Sequence, residues 1–591
     1  MGSAAAALAL AACGGSSQDD TGVKDASGLL SDLRDEAKSV QRGGTYKFFL
    51  AFDQQSFDPM FTSLPNQAFT NMVYGQFWHY PGGHLKSSDG TLEGDLAESW
   101  EYSPDRLQMT IKLNPKAHFG TAPTVTGVNG RTTDAQDVIF SWERFANQGT
   151  RRSDIANSVN PEAPVISMSA PDNKTVVIKL AQPYGIFQHL MSNTQAGNMF
   201  VLPKEAGDQN LLDVRRTQLG TGPWQLERYE PSVGYTHKRN PGFVQDRRGL
   251  GQLPYIDQLD SPIITEYAAQ LAQFKAGNLY FLGLRSEDIL PTKKELPQLE
   301  MMSEERGGLA TSAGTRYFFG MLPDSPFRDE RVRQAWSMAT DRDLFISVIY
   351  NADTFSKEGL PIESWWDSAL PHNVWAGWWL DPKGQDWAKF YKHDLAEAKK
   401  LLGAAGHANG LEANVRFPAT GYPAPYYRHI EAILAMVGDA GFRTKIHTVN
   451  FNNEWRPQLA DARGQFEGVS FIVDSGGAEP ANYLYLHYNV KGSLNHGYDP
   501  DGQNRKQGDP TLNDLTTKAR LEFDEKKRKD LVSEIQKYEA KKVYFPRVSG
   551  GASAFSLAWP AFRGRGVWQG TTSRGVTTNW LDRGKAPFKQ S

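Results

Sequence analysis

The sequence predicts an α/β protein of at least two lobes with mixed sheets. The chain has 591 residues, whereas a single hydrophobic core stops growing at roughly 250–300 residues. Strand-like and helix-like segments alternate along the whole chain. They follow no strict strand–helix repeat, and this favours mixed sheets over purely parallel ones.

Hydrophobic periodicity places the elements of the first half. We predict a strand from Thr45, a strand over 107–113 in which apolar and polar residues alternate, and a strand over 174–180. Residues 134–146 carry their apolar side chains on one helical face, with Asp134 as the N-cap. Each of these segments is bounded by turn residues, so the lobes are built from short elements.

The second half is predicted in the same way. We expect helices over 329–341, 395–402, 429–437 and 524–542, and strands over 413–417, 443–449 and 468–473. The many charges of the last helix are predicted to form a solvated face.

The composition argues against several classes of protein. Lys plus Arg is 64 and Asp plus Glu is 67, a formal net charge of -3, whereas a nucleic-acid-binding protein usually has a basic excess. The hydrophobic fraction of 39% suits a folded body. The single cysteine, Cys13, leaves no intrachain disulfide and no cysteine-based metal site.

The N-terminus is predicted to direct export. Residues 4–12 form an apolar run that is shorter than the roughly 20 residues a membrane span needs, but typical of a signal peptide. The tetrad Leu10–Cys13 resembles the bacterial lipobox, in which the peptide is cut before a cysteine that becomes lipidated. We therefore expect a signal peptide over 1–12, a lipid on Cys13, and a tether over 13–43 with at most a weak helix.

Eight short motifs, each occurring once, follow the predicted signal peptide and tether along the chain. They are 43–45 (GGT), 57–59 (FDP), 94–101 (GDLAESWE), 110–113 (TIKL), 133–138 (TDAQDV), 220–224 (GTGPW), 327–335 (FRDERVRQA) and 396–402 (AEAKKLL). Together they resemble the oligopeptide- and dipeptide-binding receptors of ABC importers, solute-binding protein family 5.

The resemblance implies a type II fold like that of periplasmic binding proteins. Two lobes with mixed sheets would be joined by a hinge, and a third subdomain would be inserted in the first lobe. The implied first lobe comprises 44–70, 216–310 and 566–591, the inserted subdomain 71–215, and the second lobe 311–565.

The resemblance also implies where the ligand is held. In peptide-binding members a carboxylate of the second lobe holds the ligand's amino terminus, shortly before an acidic residue and a proline. Asp474 ends an apolar strand here, and ligands favour strand ends in such sheets. Its spacing to Pro480 is two residues longer than the family pattern, so Asp474 and Glu479 are both candidates, with Ser475 between them. Either carboxylate could instead cap a loop.

Other candidates surround this position. Gly421 stands where dipeptide-binding members carry an arginine for the ligand carboxylate, so a longer peptide or a non-peptide ligand stays open. Arg428 is expected at the surface. The remaining expected ligand contacts are Tyr422, Thr62, Ser63, Trp365 and Trp366.

The two tryptophans belong to an unusually tryptophan-rich loop over 365–379. Tryptophan offers an apolar face to a solute and an N–H donor at its edge. The alternative, that these side chains pack the loop onto the second lobe, stays open.

These features predict the substrate-binding component of an ABC importer. It would capture a peptide or peptide-like solute outside the inner membrane, anchored there by lipid, and deliver it to a permease complex as a monomer without a cofactor. The sequence has no Gly-x-Ser-x-Gly, His-Glu-x-x-His or Walker A motif, and its 12 histidines lack metal-binding spacing. The alternatives are a sensor, or a receptor for an oligosaccharide, a nickel chelate or heme.

Overall fold

The computed structural model of the protein describes most of residues 25–589. The gaps within this range are residues 33, 37, 52, 55, 62–68, 82, 85–88, 123–124, 126, 129, 193–197, 244–249, 304–313, 373–374, 376, 420–421, 423, 475–478, 498–506, 549, 566 and 569–575. In the described part no helix is long and apolar enough to cross a membrane.

The first-lobe sheet gathers strands that are far apart in the sequence. Its order is Thr45–Lys47, Gln258–Pro262, Gly234–Arg239 and Trp224–Glu230. The first pair is parallel and the other two are antiparallel, so the sheet is mixed as predicted. The gap of more than 170 residues between its first strand and Trp224–Glu230 holds the inserted subdomain.

The inserted subdomain has its own antiparallel sheet. Its order is Ala97–Tyr102, Gln108–Leu113, Thr175–Leu180 and Val165–Asp172. Helix Ala135–Gln148 packs on this sheet, and the Asp134 carboxylate accepts hydrogen bonds from two backbone N–H groups of its first turn. The predicted strands, helix and cap of this region are confirmed.

The second-lobe sheet is also mixed. Its order is Gly314–Phe319, Val469–Asp474, Leu411–Pro418 and Phe442–Val449. The first pair is antiparallel and the others are parallel. Small two-stranded sheets also pair Trp78–His79 with Glu93–Gly94, Gly83–His84 with Val567–Trp568, and Phe562–Arg563 with Trp580–Leu581.

Helices cover these sheets. The helices of eight or more residues in the described ranges include Ala135–Gln148, Tyr267–Lys275, Ser286–Glu295, Glu330–Ala339, Arg342–Tyr350, Leu395–Ala404, Ala424–Asp439, Pro480–Tyr488, Pro510–Leu521 and Glu525–Lys542. The predicted helix over 329–341 ends at Ala339, because Asp341 caps the next helix through the N–H of Leu344. The charges of the last helix, Glu525–Lys542, do not all lie on a solvated face as predicted, because Arg528 and Glu539 are buried.

Strand pairings near residue 550 indicate where the chain returns from the second lobe to the first. Gly550–Ala552 pairs with Ser364–Trp366 of the second lobe. Phe555–Ala558, three residues later, pairs with Phe281–Leu282 and Glu300–Ser303 of the first lobe. We therefore propose that the crossing lies at residues 553–554, ahead of the boundary at 565 that the resemblance implied.

The described part of the predicted tether lies against both lobes. The N–H of Ala26 donates to the carbonyl of Gly359 of the second lobe at 2.9 Å, and later residues of the segment contact the first lobe. The N–H of Ser31 donates to the carbonyl of Met301 at 2.8 Å, and the N–H of Gly43 donates to the carbonyl of Tyr255 at 2.8 Å. Between them, Glu36 forms an ion pair with Arg563. From residue 25 the segment is thus packed on the folded body instead of standing free, and it has no helix in its described residues.

Candidate ligand-binding site

Asp474 lies where the second-lobe sheet meets the crossing from the first lobe. It is the last residue of strand Val469–Asp474 and stands opposite Gly314, the first residue of the neighbouring strand. The strand brings Asp474 to this edge because its apolar residues, Val469 and Phe471, are buried in the core of the lobe.

The Asp474 carboxylate already has positive partners. Arg547 Nη1 lies 2.8 Å from its Oδ2 and Arg316 Nε lies 3.4 Å from the same oxygen, which also accepts a hydrogen bond from the Tyr483 hydroxyl. Burial by itself would raise the pKa of Asp474, but the two guanidinium groups hold this pKa well below its usual value. Asp474 is therefore a carboxylate anion inside the protein.

The charges of this cluster balance. The Nε of Arg547 lies 2.8 Å from Oδ2 of Asp367, so one guanidinium bridges two carboxylates. Arg316 completes the set, with its guanidinium 4.3 Å from the ring centre of Phe545. We call Arg316, Asp367, Asp474 and Arg547 the charge cluster. The role of Asp474 in holding a ligand amine stays a prediction. A ligand amine would have to compete with two arginines for the Asp474 carboxylate.

Glu479 is buried and caps a helix. Its carboxylate accepts a hydrogen bond from the backbone N–H of Asn482, in the first turn of helix Pro480–Tyr488, and lies 3.7 Å from Nε of Arg528. Burial raises the pKa of Glu479, although Arg528 acts in the opposite direction. This is the capping arrangement that the sequence left open as the alternative; ligand binding by Glu479 stays a prediction.

The two predicted tryptophans differ in their surroundings. Trp366 is buried, and its indole N–H donates to Oδ1 of Asp343 at 3.0 Å. It packs in a small core with Tyr391 and Val543, so it fixes the loop to the second lobe. Trp365 is half-buried, with its ring 3.8 Å from that of His372.

Of the other predicted contacts, only Tyr422 falls within the described residues. It is half-buried, and its ring packs against those of Tyr426, Phe451 and Trp455. Arg428 is exposed and pairs with Glu287 at 3.2 Å. The remaining predicted positions lie outside the described residues: Cys13, Thr62, Ser63, Gly421 and Ser475.

The tryptophan loop also contacts the inserted subdomain, which the sequence did not predict. The buried ring of Trp375 lies 5.1 Å from the ring of His189 and 5.9 Å from that of Tyr80. It packs so closely on the backbone of Gly90 that a Cβ there would lie 2.7 Å from a ring carbon. The only signal in the sequence was the density of tryptophan, which names no partner.

A second contact joins the inserted subdomain to the second lobe. The guanidinium of Arg520 lies between the rings of Tyr184 and Tyr485, at 4.9 and 4.0 Å. Beside it, a Cβ on Gly185 would lie 2.0 Å from the backbone oxygen of Glu522. These contacts, together with others such as the ion pair of Lys491 with Glu162 at 2.5 Å, join the inserted subdomain to the second lobe. We call this the closed arrangement.

We expect closure to weaken in acid through His189. Burial, reinforced by repulsion from Arg528 of the second lobe, lowers the pKa of His189 to about 3. The closed arrangement therefore binds fewer protons than an open one in which the ring regains its usual pKa of about 6.5. The free-energy preference for the closed arrangement that comes from His189 is complete above about pH 6.5, and it shrinks as the pH falls towards about 3.

Ligand affinity should fall by up to about tenfold between about pH 7.5 and 5.5. Calorimetric titration at several pH values measures this, with His189→Gln expected to flatten the profile and the exposed His393→Gln to leave it unchanged. A profile equally steep in His189→Gln would assign the dependence to another group.

The described residues contain no cluster of three or more His, Cys, Asp or Glu side chains able to hold a metal ion. The residues described above supply aromatic rings, ion pairs and backbone groups, a combination suited to binding a solute by shape and hydrogen bonds.

Comparison with known proteins identifies the kind of fold. Residues 91–495 match the family described as bacterial extracellular solute-binding proteins, family 5 Middle. The chain is 26% identical over 503 residues to heme-binding protein A of Haemophilus influenzae, covering 81% of this chain and 82% of that protein. It is 23% identical over 471 residues to a probable di/tripeptide-binding protein 5 of Pseudomonas aeruginosa, covering 76% and 80%.

A solved structure agrees over almost the whole body. The ABC transporter-associated periplasmic binding protein DppA from Helicobacter pylori, in complex with the peptide STSA, superposes with a TM-score of 0.69 at 20% identity. The superposition covers 92% of this chain and 99% of that one. At this identity the similarity establishes the two-lobe fold.

Proposed function

Because the chain belongs to family 5 of the bacterial extracellular solute-binding proteins, we propose that it captures a peptide or peptide-like solute outside the inner membrane and delivers it to the permease of an ABC importer. The observation that carries this proposal is the family match, which covers residues 91–495 and so spans the inserted subdomain and much of the second lobe. Relatives named as peptide-binding proteins support the choice of solute.

The physical arrangement suits this function. Lobes that meet through non-covalent aromatic, ionic and backbone contacts can part and close again about the crossing segments, as hinged receptors do. The contacts of Trp375 with Gly90 and of Gly185 with Glu522 form only when the inserted subdomain and the second lobe are together. We propose that a monomer binds one solute between the lobes and acts as a receptor, not as an enzyme.

Mass spectrometry of the bound solute tests the proposal. Protein purified under mild conditions and then unfolded should release a peptide or peptide-like compound. The similarity to heme-binding protein A makes heme the second candidate. Heme would appear as a strong visible absorbance of the purified protein, and its presence in place of a peptide would overturn the proposed solute class.

We also propose that the protein is anchored to the membrane by lipid on Cys13. The support is the tetrad Leu10–Cys13, which resembles the lipobox. Cys13→Ala should move the protein from the membrane fraction to the soluble fraction, because a thiol is required for the lipid. A mutant that still sediments with membranes, together with a wild type that carries no lipid adduct by mass spectrometry, would contradict the anchor.

A further inference from the structure

Both carboxylates that could hold a cationic solute end are neutralised within the protein. Asp474 lies within 3.4 Å of Arg316 and 2.8 Å of Arg547. Glu479 has Arg528 at 3.7 Å and the N–H of Asn482 at 2.5 Å. Each of these two carboxylates therefore has a positively charged partner within the protein, before any ligand binds.

The charge cluster is assembled from segments that converge on the crossing between the lobes. Arg316 lies on the strand that follows the entry into the second lobe, Asp474 ends the next strand of the sheet, and Arg547 comes six residues before the crossing at 553–554. An isolated bridge also joins the backbones of residues 316 and 547. Movement of one member is therefore constrained by the others.

The charge cluster is electrically balanced without a ligand. Two guanidinium groups face two carboxylates. Burial also lowers the pKa of the neighbouring His487 to about 4, so this ring is neutral at pH 7 and adds no positive charge to the cluster. An ammonium group has only donors, and it would bring a third cation to two carboxylates in a buried setting, where an uncompensated charge is disfavoured.

We propose that the solute meets the charge cluster with an end that carries no ammonium charge, such as an acylated or otherwise blocked peptide terminus. Arg547 determines this specificity, because its guanidinium bridges Asp367 and Asp474 and takes the counter-charge that a ligand amine would supply. The inference deepens the proposed function and rests on it.

Competition between matched peptides tests the inference. Protein freed of solute by unfolding and refolding is incubated with an equimolar mixture of tri- to pentapeptides, each present with a free amine and in N-acetylated form, and the retained peptides are identified by mass spectrometry. The acetylated members should be enriched by at least about tenfold. Enrichment of the free-amine members overturns the inference and leaves the proposed function standing; retention of neither class overturns the proposed function itself.

Arg547→Gln provides the matching variant. It leaves one guanidinium against two carboxylates, so the preference should move at least about tenfold towards free-amine peptides. Arg443→Gln, at an exposed arginine of the same lobe, should retain the wild-type preference. An unchanged preference in a folded Arg547→Gln protein would overturn the assignment to Arg547. The wild-type competition needs no variant and decides the solute class even if Arg547→Gln does not fold.

Discussion

Asp474→Asn is expected to lower the free energy of unfolding by about 3–5 kcal/mol without any ligand present, because removing one partner of a buried ion pair leaves the other charge uncompensated. In this protein the charges left behind are Arg547, which is 1% exposed, and Arg316, which is fully buried. The Tyr483 hydroxyl also loses its anionic acceptor.

Chemical denaturation followed by circular dichroism measures this effect. Asp461→Asn is the matched control, since Asp461 pairs with Arg456 at 2.9 Å but its side chain is half exposed. An exposed pair contributes only about 0–1 kcal/mol, so the control should be nearly neutral. Wild-type stability in Asp474→Asn, combined with a large loss of affinity, would instead restore the family's amine-binding role to Asp474.

Gly185→Ala is expected to weaken ligand binding by about 5- to 150-fold, the equivalent of the 1–3 kcal/mol that overpacking typically costs. The added Cβ would lie 2.0 Å from the backbone oxygen of Glu522 in the closed arrangement. The backbone of Gly185 has no left-handed φ, so the substitution adds no strain to an open form. The loss should therefore fall on closure and not on the fold of either lobe.

Calorimetry gives the affinity, and small-angle scattering gives the radius with and without ligand. Gly283→Ala is the control, because Gly283 is exposed and a Cβ there meets no atom within 4 Å. The wild type and the control should contract on binding, whereas Gly185→Ala should contract less at equal saturation. Equal affinity and equal contraction in all three proteins would mean that the inserted subdomain and the second lobe do not close on each other.

Local patterns were enough to predict most of the fold. The cap at Asp134 could be predicted because the carboxylate and the two N–H groups it accepts from are within three residues of each other. In the second-lobe sheet, the strands Leu411–Pro418, Phe442–Val449 and Val469–Asp474 could be predicted from their apolar residues, whereas Gly314–Phe319 was not predicted. The family resemblance supplied the order of the lobes, which periodicity alone does not give.

The charge cluster could not be predicted in the same way. Arg547 lies 73 positions after Asp474 in the chain, so only the folded sheet and the return crossing bring the two together. The charged helix Glu525–Lys542 shows the same limit: Glu539 is buried because the Tyr391 hydroxyl and the N–H of Phe545 donate to it at 2.6 and 3.0 Å. Charge counts in a sequence do not reveal which charges will find such partners.

Uptake by whole cells tests the central claim most directly. The solute identified by mass spectrometry is labelled and supplied to a strain that lacks this gene, to the same strain complemented with the wild-type chain, and to one complemented with Gly185→Ala. We predict that uptake is lost in the deletion strain, restored by the wild type and restored only in part by Gly185→Ala. Undiminished uptake in the deletion strain, with the purified protein still binding the solute, would contradict a role in import and indicate a sensor.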